Sequence, residues 1–172
     1  LIAAKIASTL SSVGCAAFSL SANDCLHGDL GSITRKDVLI LISNSGKSEE
    51  IVPIIKFANR NRIKLIGIVS KKSSILYKAS DIKILLPEVK ESGLGIVPTS
   101  STSIQLAVGD ALAIAALKKK QFSKYDFSRL HPGGNLGRQL KSVGDIMVSG
   151  RKIPFINENK NMKEALRIIS EK

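Results

Sequence analysis

Residues 38–43 open with five consecutive large aliphatics, Val38-Leu39-Ile40-Leu41-Ile42, without polar alternation. A strand buried on both faces of a parallel sheet has this pattern, and it is expected mid-sheet. The run ends at Ser43-Asn44-Ser45-Gly46, after which Ile51, Ile54, Ile55 and Ala58 recur at helical spacing. A strand, a tight polar turn and a helix in this order place backbone N–H groups and short hydroxyls at a helix N-terminus, where the macrodipole favours an anion such as phosphate. The plainer role of Ser45 or Ser48 is to cap the helix. A second turn of the same type, Pro98-Thr99-Ser100-Ser101-Thr102-Ser103, opens another apolar helix. Two such turns in one α/β chain point to one ligand site outside the carboxyl ends of the strands.

The 172 residues suffice for one domain with a substantial core and a short appendage, and 44% apolar content excludes a disordered chain. Lys and Arg number 26 against 14 Asp and Glu, a formal charge of +12, so polyanions have to be considered as partners. The basic residues are scattered apart from Lys118-Lys119-Lys120, and aromatics make up 4% of the chain. Stacking platforms are therefore scarce, and no specific nucleic-acid binding is expected. Cys15 and Cys25 show neither metal-ligand nor disulfide spacing and read as reduced thiols. No membrane span and no signal segment is recognised, so the expected location is the cytoplasm.

Ile2, Ile6, Leu10 and Val13 predict an opening helix closed by Gly14. Residues 16–20 read as a short strand leading to His27 in a Gly-containing loop. Helix 49–60, strand 64–70, a short helical connection at 71–80 and strand 82–86 then alternate, which implies right-handed crossovers and a parallel sheet. Residues 88–98 form a loop. The helix over 103–119 is apolar around much of its circumference and is expected to be buried on several sides, including at a subunit interface; a homodimer or homotetramer is expected. The second histidine lies in His131-Pro132-Gly133-Gly134, where paired glycines allow close approach of a chain or ligand. Beyond residue 145, residues 153–156 read as a strand and 162–170 as an amphipathic helix, too little to bury a core alone.

Four separated motifs occur in order: Ser43-Asn44-Ser45-Gly46, Pro98-Thr99-Ser100-Ser101-Thr102-Ser103, Gly109-Asp110-Ala111-Leu112-Ala113 and His131-Pro132-Gly133-Gly134. Together they resemble the sugar isomerase (SIS) family. His27-Gly28-Asp29-Leu30-Gly31 with His131-Pro132-Gly133-Gly134-Asn135-Leu136-Gly137-Arg138 is similar, more narrowly, to the arabinose-5-phosphate isomerases. The resemblance implies a three-layer α-β-α, flavodoxin-like parallel sheet over residues 1–144, with the family's N-terminal strand missing. It also implies that residues 145–172 are the start of a truncated cystathionine-β-synthase (CBS) motif.

The same resemblance assigns substrate-binding roles to Gly14, Ser43, Asn44, Ser45, Gly46, Lys47, Ser48, Glu50, Thr99, Ser100, Ser101 and Thr102, which would hold a phosphosugar. It assigns catalysis to His27, Glu91 and His131. The span from Glu91 to Thr99 is one residue shorter than the family pattern, so Glu88 stands as a second candidate base. The family's Gly-Lys-Ser-Gly before the opening helix is absent, Lys47 replaces an acidic residue, and Ser21 replaces a histidine that relatives carry ahead of His27; no metal is expected. The implied reaction interconverts D-ribulose 5-phosphate and D-arabinose 5-phosphate, which leads to 3-deoxy-manno-octulosonate and lipopolysaccharide. A carboxylate would move the carbon-bound proton and a histidine the oxygen-bound one, with no cofactor. A non-catalytic phosphosugar-binding regulatory domain and an inactive remnant are the competing readings.

Overall fold

The computed structural model describes residues 1–133 and 141–171, so the part of the His131–Arg138 segment from residue 134 onward lies outside the described residues. Two compact units divide the chain, Leu1–Ser123 and Lys124–Lys172.

In the first unit, β1 (Val38–Ile42), β2 (Lys64–Val69) and β3 (Ile82–Leu85) form a parallel sheet in that order. Ile42 pairs with Ile68, and Val69 with Leu85. The central strand is β2, whose Leu65, Ile68 and Val69 are fully buried; each such side chain contributes about 1.5–3 kcal/mol through loss of apolar contact with water. The aliphatic run at β1 is therefore at an edge of this sheet and not in its middle, with Val38 56% exposed. An unbroken aliphatic run reports that both faces of a strand are covered and says nothing of its lateral neighbours.

Successive residues of a strand point to opposite faces. Leu41 packs with Ile51, Ile54 and Ile55 of α3 (Ile51–Arg60) and Leu76 of α4 (Ile75–Ala79). The next residue, Ile42, packs with Ile6, Leu10 and Val13 at α1 (Ile2–Ser12) and Ala113 of α5 (Ser100–Lys119). Helices thus cover both faces. Residues 16–20 form no strand; Ala17 is tied instead to the Ser11 hydroxyl, which donates to its carbonyl at 2.8 Å. A groove of about 800 Å³ is lined by these residues, by α1 and by β1. Cys25 ends α2 (Ala22–Cys25) and is buried, and burial together with Asp29 and Asp24 raises its thiol pKa.

The helix α5 begins three residues before the expected start and is buried along a single stripe, Ser101, Gln105, Gly109 and Ala113, instead of on several sides. Gly109 makes this packing possible, since a Cβ there would sit 2.3 Å from Cγ1 of Ile6. By length and composition α5 also has the dimensions of a membrane span, which the sequence reading overlooked because Ala and Gly dilute its aliphatic pattern.

The second unit contains α6 (Lys124–Leu130), α7 (Val143–Ile146), a 3-10 turn at Gly150–Lys152 and α8 (Met162–Glu171). Ser142 donates its N–H and hydroxyl to Asp145 at 2.8 and 2.7 Å, closing the start of α7 and lowering the Asp145 pKa. Asn161 accepts the Glu164 N–H at 3.0 Å at the start of α8. The strand expected over 153–156 is not formed; with no partner strand among the described residues, the segment stays irregular and Phe155 is 77% exposed.

Candidate functional site

Because the strands are parallel, residues 43–48, residues 70–74 and the loop over 86–99 all leave the same carboxyl edge of the sheet. The ladder continues past the strands: Ser43 N–H donates to Ile68 O at 3.1 Å, Ser70 N–H to Asn44 O at 3.0 Å and Leu86 N–H to Val69 O at 2.9 Å. These bonds fix where each turn starts.

In the first turn the Ser43 hydroxyl accepts the Gly46 N–H at 3.1 Å and lies 3.2 Å from the Ser48 hydroxyl. Ser45 Oγ accepts the Lys47 N–H at 3.3 Å. Gly46 has φ +62°, and a Cβ there would meet Ser74 Oγ at 2.4 Å, so both the backbone and the space require glycine. Asn44, Ser45, Lys47 and Glu50 are exposed, and Glu50 immediately precedes α3.

Two residues that the sequence reading missed shape this turn. The buried Ser70 donates its hydroxyl to Asn44 Oδ1, which leaves the amide NH2 as the outward-facing donor. The fully buried Ser74 packs on Gly46, caps α4 by accepting the Tyr77 N–H at 3.2 Å and donates to Lys71 O at 2.7 Å. The signal was available: residues 70–74 read Ser-Lys-Lys-Ser-Ser directly after an apolar strand, as Ser43-Asn44-Ser45-Gly46 does after β1.

At the second turn Glu91 supplies a cap to α5 from eight residues upstream. Its Oε2 accepts the Thr99 N–H at 2.8 Å, the Thr99 hydroxyl at 3.1 Å and the Ser101 N–H at 3.3 Å. Hydrogen bonding from the Ser101 hydroxyl and the Thr99 N–H, followed by the Ser101 N–H and the Thr99 hydroxyl, lowers the Glu91 pKa to about 2 against a smaller opposing effect of desolvation. Thr99 Oγ1 also accepts the Ser92 N–H at 2.9 Å, while Thr102 donates its hydroxyl to Thr99 O at 2.7 Å. Ser100 is half-buried in the first turn of α5. Glu88 is ion-paired with Lys71 at the carboxyl edge.

Gly14 lies apart from the second turn. Gly14, at φ +75°, ends α1 through N–H bonds from Gly14 to Ser11 O and from Cys15 to Leu10 O, at 3.0 and 2.9 Å. Its carbonyl accepts from Lys120, just past the C-terminus of α5. Thr99 stands at the other end of that 20-residue helix, ~30 Å away. Gly14 thus acts as a helix terminator remote from the second turn. His27 is exposed on the turn after α2, its N–H bonded to Asp24 O at 2.9 Å. In the second unit His131 stacks on Phe127 with ring centroids 3.9 Å apart. Its Nδ1 lies 2.8 Å from Phe127 O, and because a carbonyl only accepts, Nδ1 carries the proton and Nε2 is the basic nitrogen of the neutral ring. Among the described residues no three His, Cys, Asp or Glu side chains converge as metal ligands would.

A parallel sheet flanked by helices, with hydroxyl-rich turns and a carboxylate-capped helix N-terminus at its carboxyl edge, defines the class: an open α/β domain. Residues 1–115 match the SIS domain, and the chain belongs to the SIS-domain family. It is 42% identical over 173 residues to the arabinose 5-phosphate isomerase KdsD of Salmonella typhi, an alignment that covers 99% of this chain and 53% of that protein. The chain thus spans about half the length of the curated relatives it matches. Among solved structures it is similar to an Escherichia coli CFT073 protein in complex with arabinose 5-phosphate, with a TM-score of 0.73 and 36% identity over 76% of this chain and 70% of that one. It is also similar to a putative phosphosugar isomerase involved in capsule formation from Bacteroides fragilis, with a TM-score of 0.74 and 37% identity over 77% and 71% of the two chains.

Proposed function

We propose that the chain is the phosphosugar-binding part of an aldose–ketose isomerase acting on a pentose phosphate, D-ribulose 5-phosphate to D-arabinose 5-phosphate. The observation that carries this reading is the seat at the N-terminus of α5, where Thr99 and Ser101 already hold an anionic oxygen. It is joined by the 42% identity to a named arabinose 5-phosphate isomerase. Ser43–Ser48, Glu50 and Thr99–Thr102 bind the phosphate and sugar hydroxyls, with the amide of Asn44 as a donor.

In this reading Glu91 takes the proton from C1 of the ketose as the C2 carbonyl oxygen gains one, giving an enediol. The proton returns to C2 as the C1 hydroxyl loses its own, giving the aldose. His27 or Nε2 of His131 opens the ring or moves the oxygen-bound proton. A well-placed base contributes about 10²–10⁴ in rate, or about 3–5 kcal/mol. Glu88, ion-paired with Lys71, is the alternative base.

Three further parts belong to the proposal. A strand outside the 172 residues pairs with the open edge of β1, supported by the groove of about 800 Å³ there. Residues 1–144 are the SIS domain and 145–172 begin a CBS motif, supported by alignment to relatives about twice as long. The chain works in the cytoplasm as a homodimer or homotetramer, with the exposed apolar side of α5, Ile114 included, as the contact.

The second reading, a phosphosugar-binding domain without turnover, is favoured by the low pKa of Glu91, which makes it a weak base in this arrangement. Exchange of the C2 or C1 hydrogen of the sugar phosphate with deuterated water, followed by NMR, separates the two. Isomerisation predicts exchange that Glu91→Gln abolishes, whereas binding of the sugar phosphate without any exchange supports the second reading.

A further inference from the structure

The anion seat on α5 is filled by the chain itself. Glu91 Oε2 takes up the backbone N–H groups of Thr99 and Ser101 and the Thr99 hydroxyl together. A helix start offers few unpaired N–H groups, and a second anion cannot share them with a carboxylate without strong like-charge repulsion.

The link between Glu91 and α5 is built to move. Ser92, Gly93, Leu94, Ile96, Val97 and Pro98 are exposed, and Gly93 and Gly95 sit at φ +65° and +77°. Gly93 has nothing within 4 Å of its Cβ position. Leu94 and Ile96, 88% and 76% exposed, are anchored in neither core cluster. Swinging Glu91 outward therefore breaks its own hydrogen bonds and strains one further tie to the start of α5, the Ser92 N–H bond to Thr99 Oγ1 at 2.9 Å.

We infer that Glu91 is a latch on the phosphate seat, so that the phosphate of a sugar phosphate displaces the carboxylate from Thr99 and Ser101 and thereby releases it to act on the sugar. This rests on the phosphosugar reading above and adds a basis for substrate selection: the phosphate both anchors the ligand and activates the base. While seated, the carboxylate is held as a stabilised anion with little tendency to accept a proton; released into water, it returns towards ordinary carboxylate basicity. A sugar lacking the phosphate leaves the latch closed.

Inorganic phosphate is the probe, titrated calorimetrically into the chain and into its Glu91→Gln, Glu91→Ala and Asp110→Asn variants. The latch predicts about tenfold tighter phosphate binding in both Glu91 variants and unchanged binding in Asp110→Asn, which removes an equal charge further along α5. Equal affinity in all four proteins overturns the latch and leaves the phosphate seat standing. Equal tightening by Asp110→Asn also overturns it, because the effect is then general charge relief. Absence of phosphate binding in every protein overturns the phosphosugar reading together with the latch.

Discussion

Glu91 accepts the backbone N–H of Thr99, eight positions further along the chain, at 2.8 Å, so α5 is capped by a carboxylate that its own first turn does not contain. The bond has a thermodynamic consequence. Folding lowers the Glu91 pKa from 4.5 to about 2. A carboxyl group whose pKa is lower in the folded state stabilises that state above its unfolded pKa, and the contribution is lost as pH falls through the folded one. The melting temperature of the chain should therefore fall between about pH 4.5 and 2. Asp37, Asp81 and Asp145, also lowered, act in the same direction. The difference between the melting curves of the wild type and Glu91→Gln isolates the Glu91 part: it should shrink as pH falls through that window, and a constant difference removes Glu91 from the account.

Gly46→Ala tests the first turn. The substitution imposes a left-handed conformation on a residue with a Cβ, at a cost of about 1–2 kcal/mol, and drives that Cβ into Ser74. Urea unfolding should show at least this loss. Ser74→Gly removes that contact but leaves Val69 Cγ2 at 2.7 Å from the same Cβ position, and the backbone cost stays, so Gly46→Ala should cost less stability in a Ser74→Gly background than in the wild type, though not nothing. An equal cost in both backgrounds shows that Ser74 does not limit the turn.

Much of this turn was legible in the sequence, because an aliphatic run that breaks into Ser43-Asn44-Ser45-Gly46 leaves a parallel-sheet strand few other endings. The edge position of β1 was not, since Val38–Ile42 looks the same whether one strand or two lie beside it. The narrow burial of α5 was hidden for a related reason: Ala111, Ala115 and Ala116 are counted as apolar whether or not they are covered, whereas the true contact stripe runs through Ser101, Gln105 and Gly109. The seat of Glu91 lay beyond sequence reasoning altogether, because the path of the loop depends on Gly93 and Gly95 at positive φ and not on any periodicity.

Ser70→Ala separates positioning from stability. Removing the hydroxyl leaves Asn44 Oδ1 without its buried donor and frees the amide to rotate, which should raise the dissociation constant for ribulose 5-phosphate several-fold. One hydrogen bond is worth about 0.5–1.5 kcal/mol, so the unfolding free energy should change by no more than that. Ser70→Thr retains the hydroxyl and should restore affinity. A Thr variant as weak as the Ala variant indicates that packing at position 70, and not the bond to Asn44, sets the affinity.

In the proposed site Lys47 stands in a turn that also holds Glu49 and Glu50. It is exposed, and its backbone is fixed by the Ser45 hydroxyl at 3.3 Å, so its ammonium can swing over the mouth of the turn while the turn itself stays put. Lys47→Glu replaces an attraction for phosphate by a repulsion. For an exposed group each half of that change is worth up to about 1 kcal/mol, so the affinity for ribulose 5-phosphate should drop about tenfold or somewhat more, with little change in melting temperature. The loss should be screened: raising the salt from low to physiological ionic strength should weaken wild-type binding and narrow the gap between the two proteins. Lys47→Gln should fall midway, because it removes the attraction without adding the repulsion. If Lys47→Glu binds the sugar phosphate as tightly as the wild type at low salt, Lys47 faces away from the anion and the hydroxyls of Ser43, Ser45 and Ser48 hold it without a cation in this turn.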